Sequence, residues 1–148
     1  MKPFLDTGFL VTLVMITSGS RAAWQIIRRL NVPICVTHLQ SFQVENRLLR
    51  ESTSSEDSTL RAAAADAVQR LHRYLDEMVF QPVHVDYDAA IHLARLWQRD
   101  LGAETPPALL LLWPALAVTA GATHFLSFDP RPRKFAKAAG LKLLPETL

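Results

Sequence analysis

The sequence predicts an α/β protein with a parallel or mostly parallel sheet and helices on both faces. Short apolar runs alternate with one or two helix-like stretches along the whole chain, the pattern of strands joined by helical crossovers. Two of those runs end in a carboxylate: Phe4-Leu5-Asp6-Thr7 near the start and Phe125-Leu126-Ser127-Phe128-Asp129 near the end. Such a run reads as a buried strand whose last residue emerges at the carboxyl edge of the sheet, where open α/β sheets bind their ligands. The longest amphipathic stretch supplies the helical signal. Leu60, Ala64, Val68, Leu71, Leu75 and Met78 recur at three- and four-residue steps, with Arg61, Asp66, Arg70, Arg73 and Glu77 opposite.

The elements follow in order. A strand covers 2–5, and helices cover 9–17 and 21–30 on either side of Ser18-Gly19-Ser20. A strand at 33–36 is followed by Thr37, an N-cap for a helix running to Arg50. Residues 51–58 are polar and read as a loop before the amphipathic helix at 59–79. A strand at 82–85 leads to Asp86, which caps a helix at 87–101 whose apolar side is Ala90, Ile91, Ala94 and Leu96-Trp97. Pro107 suits the start of the next helix and Gly121 its end, with Pro114 bending it. A strand at 125–128, a helix at 131–139, Gly140 and a strand at 141–144 complete the series. No internal repeat is present, and residues 1–148 read as one domain.

Composition narrows the class. With 49% apolar and 20% charged residues the chain is globular rather than disordered. A net charge of +2 neither demands nor opposes a nucleic-acid partner. Cationic residues gather late, at Arg131, Arg133, Lys134, Lys137 and Lys142, where a solvated helix face explains them as readily as a binding surface. The single Cys35 lies in an apolar run, which excludes a disulfide framework and suits a reducing cytoplasm. Residues 9–16 resemble an export signal only faintly, because Asp6 precedes them and no small-x-small site follows. The apolar stretch at 106–122 is shorter than the ~20 residues of a membrane span and contains Pro114, so no membrane association is expected.

Three acidic residues are candidates for chemistry. Asp6-Thr7-Gly8 has the letters of an aspartic-protease triplet, but no second copy occurs and the chain is largely helical after it. A phosphoaspartate reading fails because position 8 is Gly. A metal-binding aspartate and a helix-capping one both remain for Asp6. Glu45 lies in mid-helix, as a surface residue would, and Asp129 precedes Pro130-Arg131-Pro132-Arg133, as a capping residue would.

The order and spacing of these motifs resemble a PIN domain, in particular the VapC-type toxin nucleases. The match covers almost the full length: Asp6-Thr7 after the first strand, Thr37 and the helix bearing Glu45-Asn46 with Leu48-Leu49, Asp88 to Leu96, and above all Ala115 to Asp129 with Phe135 to Leu141 behind it. The resemblance implies a PIN-like three-layer α/β/α fold with a five-stranded, mostly parallel sheet. It implies a cytoplasmic endoribonuclease using Mg²⁺ or Mn²⁺, with Asp6, Glu45 and Asp129 as catalytic metal ligands and Thr7 and Ser127 supporting them. Position alone suggests Arg131 and Arg133 for RNA phosphates. An antitoxin inserting between the 37–50 and 59–79 helices and a homodimer are also implied. One departure stands out. The family's further aspartate, in Asp-x-x-His, falls at Leu110, with Trp113 at the histidine place. Gly8 also replaces a polar residue, and Glu104 is out of register to substitute for the missing acid. The rival implied by Leu110 is a non-catalytic PIN-like domain that binds RNA or a protein.

Overall fold

The computed structural model describes residues 2–148 and confirms a mixed α/β protein. Its elements are β1 (Pro3–Leu5), α1 (Thr7–Val14), α2 (Ser20–Leu30), β2 (Ile34–Thr37), α3 (His38–Ser54), α4 (Ser58–Asp76), β3 (Phe80–Val83), α5 (Tyr87–Leu101), α6 (Ala108–Thr119), β4 (His124–Leu126), α7 (Pro130–Ala138) and β5 (Lys142–Leu144), with a 3₁₀ turn at Gly102–Glu104. Two compact units divide the chain: residues up to Asp6 together with His84–Leu148, and the continuous stretch Thr7–Val83.

All strand pairing is parallel, as expected, but the strands form two sheets rather than the single five-stranded one the resemblance implies. β1-β4-β5 lies in the first unit and β2-β3 in the second. Proline has no N–H to give a ladder and is confined to sheet edges. Pro3 stands in edge strand β1 and Pro82 in edge strand β3. With strands only three or four residues long, one missing donor removes a large share of a pairing edge.

In the first unit, β4 is sandwiched in its sheet between β1 and β5, in the register Phe4↔Phe125↔Leu143 and Leu5↔Leu126↔Leu144. Leu5, Phe125, Leu126, Leu116 and Ala136 are fully buried. Helix α5 turns inward through Ala90, Leu93, Ala94, Trp97 and Leu101. That 3–4 spacing leaves Ile91 and Leu96 on the solvent side, correcting their assignment to the apolar stripe. Asp86 caps α5 as expected, accepting from Ala89 N at 2.9 Å. Pro114 lies inside α6, which runs uninterrupted across it.

The second unit is a helical assembly on β2-β3. Phe9, Leu10, Val14, Val44, Leu48, Leu71 and Phe80 are buried. Tyr74 sits edge-on to both Trp24 and Phe80, at 5.9 and 5.3 Å between ring centres. Residues 51–54 continue α3 instead of forming a loop. The hydroxyls of Ser52, Thr53 and Ser54 bond back to the carbonyls of Leu49 and Arg50, and Arg47 pairs with Glu51 one turn on. The connection shrinks to residues 55–57, and Asp57 caps α4 through Thr59 N and Leu60 N. At the other end α4 stops at Asp76, so Met78, with φ +57° and 55% exposed, leaves the predicted stripe.

Thr37 closes a reciprocal cap on α3: its Oγ1 accepts from Gln40 N at 3.2 Å, and Gln40 Oε1 accepts from Thr37 N at 2.8 Å. Both residues are buried, so water cannot replace the lost bonds. Thr37→Ala is expected to lower unfolding free energy by about 1–2 kcal/mol in urea titration. An unchanged midpoint would remove the cap from the account.

Candidate functional site

The carboxyl edge of the three-stranded sheet gathers Asp6, Ser127 and Asp129. Asp6 follows β1 directly, and its N–H extends the ladder to Leu126 O at 3.0 Å. The residue is only 4% exposed. Ser127 occupies the matching place after β4, fully buried, with its N–H on Leu144 O at 3.1 Å. Its hydroxyl accepts from Asp129 N at 3.0 Å and so sets the turn that carries Asp129. Asp129 then caps α7, accepting from Arg131 N at 2.8 Å, with Pro130 at the first helical position.

Two arginines of α7 serve this edge differently. Arg131 is exposed and grips the Asp129 carboxylate as a fork: Nε lies 3.0 and 3.1 Å from the two oxygens and Nη2 2.6 Å from Oδ2. This bond holds the Asp129 carboxyl below its ordinary value, against a smaller opposing effect of burial. Arg133 points inward. It is 6% exposed and donates to Ser127 O at 2.8 Å and Pro145 O at 2.7 Å. Burial pulls its guanidinium below the ordinary value, and the negative charge of Asp6 pushes back. A side chain so committed is not available to RNA phosphates, in contrast to its sequence-based assignment.

Glu45 and Thr7 belong to the other unit. Thr7 opens α1 and is half-buried. Glu45 projects from α3 to His72 of α4, with 2.6 Å between Oε1 and Nε2. His72 escaped the sequence reading because it lies 27 residues away and carries no motif. The Arg131 fork was more accessible: a capping aspartate followed by Pro130 places residue 131 where its guanidinium folds back on the cap. Leu110 is half-buried in α6 and Trp113 is buried there, so no carboxylate comes from that helix.

Among the described residues, no three His, Cys, Asp or Glu side chains cluster as a metal cage. The pair at the sheet edge still suits a hard cation, since magnesium keeps several waters and takes only one or two carboxylates. A cation at Asp129 meets Arg131 already bonded to both carboxylate oxygens. No known family's sequence profile matches this chain, and no curated protein matches it significantly.

The Asp129–Arg131 fork has a pH signature. A carboxyl lowered in the folded state adds stability above its ordinary value of 3.8 and loses it as pH falls through the lowered value. The Asp129 side chain is 28% and the Arg131 side chain 65% exposed, so solvent screens the pair and its contribution is small. Arg131→Gln is expected to leave the acid limb of the stability curve below pH 3.8 shallower than in the wild type. Identical acid limbs would show that the fork does not persist in solution.

Proposed function

We propose that this protein is a divalent-metal-dependent endoribonuclease of the VapC toxin type, built on a PIN-like fold and acting in the cytoplasm. The observation that carries the reading is the delivery of Asp6 and Asp129 from neighbouring parallel strands to one sheet edge. Mg²⁺ or Mn²⁺ would be held by Asp6 and Asp129; the family resemblance names Glu45 as a further acid, and it belongs to the other unit. When bound, such an ion activates water and stabilises charge on a scissile phosphate. The remaining work falls to the chain. Ser127 fixes the backbone that presents Asp129, and Arg133 anchors the Ser127 carbonyl while balancing the charge of Asp6. Arg131 supplies an exposed cation beside the same edge, suited to an RNA phosphate once released from Asp129. Thr7 would orient Asp6.

An antitoxin would restrain this activity by inserting between α3 and α4. A cavity of about 340 Å³ there, lined by Arg47, Arg50, Glu51, Ser54, Ser55 and Leu60, supports that placement. A homodimer through α4 completes the reading. No described helix is long and apolar enough to cross a membrane.

A second reading has observations of its own. Leu110 removes one acid, and Arg131 already occupies Asp129. Both favour a non-catalytic PIN-like domain that binds RNA or a protein. The deciding experiment is cleavage of a labelled single-stranded RNA with Mn²⁺ or Mg²⁺, run beside a chelator control and acid-site variants. Cleavage lost in both supports the nuclease. Its absence, or its indifference to the variants, selects the binding reading.

A further inference from the structure

Helices α5 and α7 of the first unit leave a groove about 230 Å³ in volume, lined by Trp97, Asp100, Leu101, Phe135, Ala138 and Ala139. Its walls are helical neighbours: Trp97 and Leu101 one turn apart on α5, Phe135 and Ala139 one turn apart along α7. The rings of Trp97 and Phe135 lie nearly parallel, 14° apart with 6.2 Å between centres. The Lys134 ammonium stands 5.1 Å from the Phe135 ring centre. Lys134 and Lys137 are both exposed on α7.

We infer that this groove is a nucleobase-binding site that takes one unpaired base of a single-stranded RNA, with the flanking phosphate on Lys134. The inference rests on the RNA reading above and adds to it a place for the substrate away from the carboxylates. The chemistry is that of single-strand binding, in which an aromatic surface takes the base and an adjacent cation takes the backbone. Aromatic rings and small alanines give a flat apolar slot. The volume is below the ~300–1,000 Å³ of sites for drug-sized ligands, which suits one base rather than a whole nucleotide. Asp100 provides an acceptor for a ring N–H or an exocyclic amine. The exposed Lys134 and Lys137 on α7 put cations beside the aromatic groove, the combination that single-stranded RNA uses.

The test is fluorescence anisotropy with a 5′-labelled single-stranded oligoribonucleotide in excess chelator, so that binding is read without cleavage. Ala138→Phe fills the slot from an exposed position, and Trp97→Leu removes its largest ring. Melting curves establish that both variants are folded. Either change is expected to weaken binding about tenfold, as is replacing the RNA by an abasic strand with the same phosphates. Equal binding of the abasic strand, or wild-type affinity in Ala138→Phe, overturns the assignment, as does a wild type that binds no oligonucleotide. A dimer seen by light scattering and lost in Ala138→Phe would give the groove to a second copy and also overturn it. Failure here with metal-dependent cleavage intact removes only the base site. Binding that behaves as expected without cleavage removes only the nuclease.

Discussion

On the proposed nuclease reading, Glu45→Gln is expected to cut metal-dependent RNA cleavage by about 10²–10³-fold while leaving the protein folded. The loss corresponds to the several kcal/mol a metal site contributes at a phosphate. Glu45 is the best residue for this test because its surroundings are forgiving. Its side chain is 36% exposed, and its contact with His72 is a single bond that a glutamine oxygen can also accept. Such an exposed pair is worth about 0–1 kcal/mol, so lost activity cannot be blamed on unfolding. Asp6→Asn is expected to abolish cleavage too, but at a cost in stability, since it removes the charge facing buried Arg133. The two variants together separate chemistry from folding. Wild-type rates in Glu45→Gln would exclude Glu45 from the reaction and turn attention to the non-catalytic reading.

Arg133→Met is expected to destabilise the protein by about 3–5 kcal/mol in denaturant titration, more than any surface arginine. The estimate follows from what remains behind. The negative charge of buried Asp6 loses the guanidinium charge that favours it. The carbonyls of Ser127 and Pro145 each lose a charge-assisted partner. Methionine keeps much of the volume, so the effect reports the polar loss rather than a cavity. Arg131→Met, two residues away on the same helix, is expected to cost far less, because its partner is also met by solvent. Similar costs for the two would refute the buried role of Arg133.

What the sequence revealed of this molecule depended on the range of the interaction involved. Thr37, Asp86 and Asp129 were legible as caps because an N-cap is satisfied within three residues. Asp6 was legible at a strand end because an apolar run terminated by a carboxylate is a local pattern, whereas β4 stops at Leu126, short of the expected 128, and Asp129 stands beyond it as the cap of α7. The extension of α3 through Ser54 was missed although it too is local: a run of hydroxyl residues suggests a loop until each is seen bonding the preceding turn. Ile91 and Leu96 were misplaced because several phases of an apolar helix look alike before its neighbours are known. Arg133 reads as a surface cation in any linear view. Only the approach of Ser127, Pro145 and Asp6 makes it an interior one. The division of five strands into two sheets was likewise hidden, since periodicity identifies a strand but not its partners.

The pairing of β1 with β4 has a consequence for the order of synthesis. Residues 3–5 are made long before their ladder partners, residues 124–126. The intervening chain includes the compact unit Thr7–Val83, all of which is made before β4. Asp6 therefore lacks its sheet until β4 has been made, and the acidic edge comes into being only when Asp129 and Arg133 follow. A growing chain does not carry the completed edge, so whatever that edge does waits for the stretch from β4 to α7.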